Sequence, residues 1–215
     1  MTIIYVIGLT DISRTLPSYG GVTFTRWGKT SCPEESKLIY RGQMASPDLN
    51  AAGGGANYLC LDSDPSYQPN SPSNHASSYI GRVWYQVIRD HYTVSPLTYH
   101  SVPCSVCESA RGRVTHLMLP AQTRCPSSEW TLEYSGYLMS SASHGDPSGT
   151  PTTRYYRTSY VCVDTDFESF STRHNTAWEG SPLYLVQAEC QRSGTLASCP
   201  PYQPRKALSC AVCTK

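Results

Sequence analysis

The sequence predicts an all-β, disulfide-rich protein built from two tandem pseudo-repeats. Ten cysteines occur in 215 residues, and the strings around eight of them are written twice along the chain. The apolar stretches are short, rich in β-branched and aromatic residues, and show no sustained helical stripe. We therefore expect two halves, each cross-linked by disulfides, that pack against each other as a pseudo-two-fold unit.

The repeat is anchored by cysteines. Cys32, Cys60, Cys104 and Cys107 recur as Cys125, Cys162, Cys210 and Cys213. The copies differ by insertions between these anchors, which is the signature of a diverged tandem duplication. The predicted organisation is an N-terminal strand or clasp over residues 1–19, repeat 1 over 20–111 and repeat 2 over 112–215. We call the repeats copy one and copy two.

Composition limits the hydrophobic core. Leu, Ile, Val and Phe total 37 of the 215 residues, which is below the roughly 20% under which chains of high net charge tend towards disorder. The 16 Tyr, 4 Trp and the cysteines must supply part of the missing stability. A disulfide framework of this kind persists in oxidising compartments, so we expect a secreted, extracellular protein.

Charge and hydropathy exclude two classes of partner. The net charge is only +1 and no Lys/Arg cluster is present, so we expect no nucleic-acid partner. No run of 18 apolar residues occurs, so we expect no membrane insertion.

Six stretches read as strands because they are β-rich and bounded by Gly, Pro, Asn, Asp or Ser. They are residues 37–40, 58–61, 83–88, 130–134, 160–163 and 183–186. Three long polar loops, 43–56, 63–78 and 140–159, separate them. Long loops on a stapled scaffold commonly carry function.

The cysteine pairing is narrowed by the repeat but not fixed by it. Cys190 and Cys199 occur only in copy two, so we expect them to pair with each other. The C-x-x-C pair at the end of each copy then bonds back to the two earlier cysteines of that copy, in an order that stays open. Cys60 and Cys162 lie in predicted strands and are expected to be the buried partners.

Metal binding is the weaker interpretation of the motifs. The two C-x-x-C pairs suit a zinc site, but an oxidising compartment favours disulfides. The repeated motifs Asp62-x-Asp64 and Asp164-x-Asp166 offer oxygens to calcium, although an Asp after a strand commonly caps the turn instead. We expect no cofactor and no metal.

Catalytic motifs are missing from the sequence. There is no Gly-x-Ser-x-Gly elbow and no His-Glu-x-x-His pair, and the glycines at 53–55 lack the lysine of a phosphate-binding loop. Glu133 and Glu179 do not form a recognisable acid and nucleophile pair. The prediction is that the protein is not an enzyme.

Sugar recognition suits the loops better, because it needs aromatic faces beside directional hydrogen-bonding groups. The candidate ligand-binding residues are Asn57, Tyr58, His144, Asp146, Arg154, Tyr156 and Arg157. The alternative is that the glycines before Asn57 form a turn with positive φ and that the tyrosines fill an aliphatic-poor core.

Longer strings carry a family resemblance. They are GGVTFTRWGKTSCP at 20–33, GGGANYLCL at 53–61, VPCSVC at 102–107, LEYSGYLMS at 132–140 and CPPY at 199–202. The chain resembles secreted invertebrate proteins that include the galactose- and galacturonic-acid-binding egg lectins of sea hares. The resemblance implies a disulfide-rich, often dimeric lectin without catalysis, and it assigns no binding residues. Residues 144–153 depart from the family's pattern.

The function predicted from the sequence is therefore a lectin for galactose-type sugars. Its partners would be glycans or glycoproteins, and the chain would form a homodimer. Galacturonic acid would favour Arg154 or Arg157, which can hold a carboxylate through two parallel hydrogen bonds. The alternative is a structural protein of egg coat or extracellular matrix that self-assembles through exposed Tyr and Ser.

Overall fold

The computed structural model describes residues 20–48, 54–68, 78–86, 97–141, 157–170, 180–188, 201–204 and 206–215. These residues form ten strands: β1 (Thr23–Trp27), β2 (Lys37–Ser46), β3 (Leu59–Asp62), β4 (Gly81–Tyr85), β5 (Pro103–Glu108), β6 (His116–Pro120), β7 (Thr131–Ser140), β8 (Val161–Asp164), β9 (Ser181–Leu185) and β10 (Ser209–Thr214). The predicted all-β, disulfide-rich class is confirmed.

Each of the six predicted strands overlaps an observed one, but two predicted loop boundaries were wrong. Strand β2 continues to Ser46, so residues 43–46 of the first predicted loop belong to a strand. Strand β7 continues to Ser140, so the observed loop begins one residue later than predicted. The sequence pattern missed β1, β5, β6 and β10. Strands β5 and β10 contain the C-x-x-C cysteines and are buried along almost their whole length, so they lack an alternating pattern.

Strand pairing repeats between the copies. In copy one, β5 lies between β1 and β2, and β3 and β4 also pair with β2. In copy two, β10 lies between β6 and β7, and β8 and β9 also pair with β7. The five strands of each copy therefore follow one pairing scheme.

Individual contacts repeat as well. The Tyr40 hydroxyl donates to the carbonyl of Cys60 at 3.1 Å, and the Tyr134 hydroxyl to that of Cys162 at 3.0 Å. A Cβ on Gly42 would lie 1.6 Å from a carbonyl oxygen of β3, and one on Gly136 would lie 1.7 Å from a carbonyl oxygen of β8. Glycine is therefore required at both positions, because any side chain would separate the strands.

Four disulfides follow the repeat. They join Cys32 to Cys107, Cys60 to Cys104, Cys125 to Cys213 and Cys162 to Cys210. The prediction that each C-x-x-C pair bonds back to the two earlier cysteines is confirmed. The predicted pair Cys190 and Cys199 lies outside the described residues.

The expected burial of the disulfides needs a correction. Cys162 is buried as predicted, whereas Cys60 is only partly buried. The buried partner in copy one is Cys104, because it lies in β5, which has a neighbouring strand on each side.

The two copies share their hydrophobic core, which consists of two clusters that each contain residues of both copies. Met44, Val83 and Tyr85 of copy one pack with Val161, Val163 and other residues of copy two. Strand β1 also runs parallel to β8 through the pair Trp27 and Val163, and β4 runs parallel to β9. Among the described strands, β3 and β6 form no counterpart of the β1–β8 pair, so an exact pseudo-two-fold packing stays a prediction.

The part of the chain that the structure describes contains no helix long and apolar enough to cross a membrane.

Candidate functional site

A nearly buried ion pair holds the copies together. Arg26 on β1 donates from Nε and Nη2 to one carboxylate oxygen of Asp164, at 2.8 and 2.7 Å. The guanidinium also lies over the Tyr134 ring, 5.9 Å from its centroid. The Tyr134 hydroxyl lies 2.9 Å from the carbonyl of Thr25, so β1 of copy one is fixed to the sheet of copy two.

A second charged cluster lies at the end of β1. Lys29 contacts Asp166 at 2.7 Å and Glu168 at 3.3 Å, and Thr30 donates to Glu168 from its backbone and hydroxyl. The hydrogen bond and charge of Lys29 lower the pKa of Asp166. Partial burial raises the pKa of Glu168, but the hydrogen bonds from Thr30 and Lys29 outweigh it and the net shift is downward. Burial likewise opposes the shift at Lys29, whose pKa is raised by its two carboxylate partners.

The segment 157–160 of copy two lies against the loop 54–58 of copy one. The Ser159 backbone N–H donates to the carbonyl of Ala56 at 3.1 Å, and its hydroxyl reaches the Asn57 side-chain oxygen at 3.4 Å. The Thr158 hydroxyl donates to the Tyr58 hydroxyl at 2.7 Å. We call this contact the loop junction. It joins parts of the two loops in which the sequence placed the ligand site.

Tyr58 supports the junction from beneath. Its side chain is 6% exposed and belongs to the shared core, and burial raises the pKa of its hydroxyl. The ring therefore does not present a face to solvent. Of the predicted binding residues, Asn57 and Arg157 are exposed at the junction. His144, Asp146, Arg154 and Tyr156 lie outside the described residues.

Sequence reasoning missed Tyr160. It occupies the position in copy two that Tyr58 occupies in copy one, immediately before the cysteine-bearing strand. Its side chain is 62% exposed. The repeat alignment identifies the pair, but only the packing shows that one ring is buried and the other open.

Tyr160 borders a cleft of about 190 Å³ between β1 and β6. Its lining includes Trp27 of copy one and His116 of copy two, together with Tyr134 and Val212. The cleft offers aromatic surface together with one imidazole, which can donate or accept a hydrogen bond. This combination can hold a flat molecule with polar groups at its edge.

The repeated aspartates cap turns. Asp62 accepts the backbone N–H of Asp64 at 3.0 Å, and Asp164 accepts that of Asp166 at 2.9 Å. No cluster of three or more metal-ligating side chains occurs among the described residues, and the eight cysteines described are all paired in disulfides. Capping therefore accounts for the motif in both copies.

The contacts of Glu133 are ones that stabilise the fold. Its carboxylate accepts hydrogen bonds from Thr214 at 2.6 Å and Ser36 at 2.9 Å, and it lies 3.4 Å from Arg113. The side chain is buried and bonded to residues of both copies. Glu179, the other carboxylate considered, lies outside the described residues.

The fold and site together define a disulfide-stapled β-protein with an open aromatic and polar surface between its halves. Neither a protein-family model nor a curated relative matches the chain.

Proposed function

We propose that the protein is a secreted, non-catalytic lectin for galactose-type sugars that binds at the loop junction and the adjacent cleft. The exposed Tyr160 ring carries the proposal, because it lies on the segment that is bonded to the copy-one loop beside Asn57. Sugars bind by placing the C–H face of the ring on an aromatic side chain while amides and charged groups take the hydroxyls.

The polar groups at the loop junction suit this role. Asn57 has both an amide donor and a carbonyl acceptor, and Arg157 is a fixed fork of donors that matches a carboxylate. Arg157 is exposed in the same segment as Tyr160. Galacturonic acid would therefore bind more tightly than galactose, and the difference would depend on Arg157.

Secretion and dimer formation belong to the proposal. Four disulfides in the described part of the chain are typical of extracellular proteins. A dimer would raise the avidity of weak single sites for clustered glycans, which is how lectins agglutinate cells.

A glycan array, with inhibition by free galactose and galacturonic acid, tests the function. Tyr160→Ala should reduce binding at least tenfold, whereas Tyr67→Ala should leave it unchanged, since Tyr67 is the more exposed ring but does not line the cleft. Arg157→Met should weaken galacturonic acid about tenfold and galactose less than twofold. An array without glycan signal from the wild-type protein would refute the proposal.

The alternative is a matrix protein that self-assembles. It is favoured by apolar side chains at equivalent positions of β2 and β7, where Leu38 is 41% and Leu132 is 45% exposed. Sedimentation and affinity chromatography together separate the two functions. A matrix protein sediments as large assemblies whether or not free galactose is present, whereas a lectin binds galactose resin and elutes with the free sugar.

A further inference from the structure

A second groove lies in copy one, away from the loop junction. Its volume is about 440 Å³. Its lining is mainly apolar and includes Leu61, Ile80 and Phe170, and it also contains the polar side chains Gln43, Asp62 and Arg82. We call it the copy-one groove.

The equivalent surface of copy two is buried. The strand registers fix the correspondence: Gly42 pairs with Asp62 as Gly136 pairs with Asp164, so Leu61 corresponds to Val163. Leu61 is 42% exposed, whereas Val163 is fully buried.

The same comparison holds next to β4. Ala45 pairs with Arg82 as Met139 pairs with Leu185, so Ile80 corresponds to Leu183. Ile80 is 47% exposed, whereas Leu183 is fully buried. A surface that belongs to the shared core in copy two is therefore open in copy one.

Copy one itself supplies the cover over copy two. Trp27 pairs with Val163, and the Tyr85 ring lies 4.8 Å from the Phe167 ring. No described strand covers the equivalent surface of copy one, since β3 pairs only with β2. The one-sided packing of the copies thus leaves this groove open.

The copy-one residues in the groove are smaller or more polar than the copy-two residues at the equivalent positions. Tyr137, Phe167 and Tyr184 of copy two correspond to Gln43, Pro65 and Gly81 of copy one. Three aromatic rings are replaced by smaller groups, which leaves space. Leu185 corresponds to Arg82, which adds a cation to the lining. A lining that is smaller and more polar than its buried counterpart favours a hydrophilic small molecule over a permanent protein partner.

Copy two completes the groove with an aromatic wall. The Phe170 backbone N–H donates to the carbonyl of Ser101 at 3.2 Å. The preceding residues are held by the Glu168 N–H, which donates to Gly28 at 2.7 Å, and by the Tyr85 hydroxyl, which donates to the Glu168 carbonyl at 2.9 Å. Three hydrogen bonds with copy one therefore hold the segment that carries Phe170 beside the groove.

We propose that the copy-one groove is a second sugar site, which takes a pyranose. The apolar face of the ring would lie on Phe170 and Leu61, and its hydroxyls would bond to Gln43 and Asp62. This inference rests on the proposed function for its ligand class, and it adds a site distinct from the loop junction. One chain then holds two non-equivalent sites and can cross-link glycans without forming a dimer.

Equilibrium dialysis with a labelled methyl galactoside tests the proposal by counting sugars bound per chain. We expect two sugars on the wild-type chain, one on Gln43→Tyr, which restores the ring of copy two and fills the groove, and one on Tyr160→Ala. The double variant should bind none. Asp62→Asn keeps the turn cap and should weaken the groove site about tenfold, while Asp64→Asn, its neighbour outside the lining, should change nothing.

The outcomes separate the two proposals. One sugar on the wild-type chain, abolished by Tyr160→Ala and unaffected by Gln43→Tyr, would overturn the second site and leave the lectin function standing. No bound sugar on the wild-type chain would overturn both. A wild-type dimer that Gln43→Tyr converts to monomer, with the sugar count unchanged, would show that a second copy of the chain occupies the groove. An unchanged near-ultraviolet circular dichroism spectrum verifies that each variant is folded.

Discussion

Replacing Asp164 by Asn should loosen the contact between the copies. Asp164 is 7% exposed and accepts two hydrogen bonds from Arg26, which is 15% exposed. An asparagine amide can still accept the hydrogen bond from the Asp166 N–H. However, the amide carries no charge to balance the guanidinium of Arg26, and its NH2 group would then face that guanidinium. Breaking a buried ion pair by changing one partner costs roughly 3–5 kcal/mol. We expect Asp164→Asn to lower the free energy of unfolding by about 3 kcal/mol, the low end of that range, because both groups keep some solvent contact.

The repeat provides a matched control for this change. Asp62 is the equivalent residue of copy one, caps the same turn, and is exposed without an ion pair among the described residues. Asp62→Asn should therefore alter the free energy of unfolding by less than about 0.5 kcal/mol. Both variants remove one charge from the same local turn, so the difference between them isolates the contact with Arg26.

Guanidinium chloride unfolding under non-reducing conditions measures both variants, with tryptophan fluorescence and far-ultraviolet circular dichroism as probes. A double-mutant cycle with Arg26→Leu, which introduces the residue found at the equivalent position 119, gives the coupling between the two side chains. We expect the double variant to cost at least about 1.5 kcal/mol less than the sum of the single ones. Equal effects of Asp164→Asn and Asp62→Asn would refute the reasoning, since the ion pair would then contribute nothing.

Two further predictions concern the charged cluster and the tyrosines. Because the pKa values of Asp166 and Glu168 are lowered in the folded protein, the unfolded state binds more protons on acidification, so stability should fall as the pH drops below about 4. Melting temperatures measured across pH should show this fall, and Lys29→Met should flatten it; an unchanged acid slope would contradict the role of Lys29. Tyr58→Phe should cost about 1 kcal/mol through the lost bond with Thr158, whereas Tyr160→Phe should be neutral in the same unfolding assay. Equal costs would mean that the hydrogen bond with Thr158 does not stabilise the fold.

The scaffold was largely predictable from the sequence because its determinants are local. Short β-rich stretches ended by turn-forming residues identified six strands, and the repeat narrowed the disulfide pairing. Strands such as β5 were missed because a strand covered on both sides does not alternate between apolar and polar residues. The bulge in β2 between Leu38 and Tyr40 was likewise invisible in the sequence, since it depends on the register with β5.

The site was less predictable because it depends on long-range packing. The repeat makes Tyr58 and Tyr160 equivalent, and nothing local distinguishes a buried ring from an open one. The copy-one groove was hidden for a related reason: its walls come from β2, β3, β4 and the segment that contains Phe170, which are far apart in sequence. A motif search cannot assemble such a lining.

The asymmetry between the copies follows from the shortage of aliphatic residues. A chain with only 37 Leu, Ile, Val and Phe cannot build a large core in each half, so the halves must share one. Sharing requires that one surface be covered by the other copy, and Val163 and Leu183 of copy two are the surface covered here. The equivalent surface of copy one is then not needed for stability. Its residues can therefore become smaller or more polar, as Gln43 and Arg82 are. After the duplication, positions that form part of the core in copy two thus line the proposed binding groove in copy one.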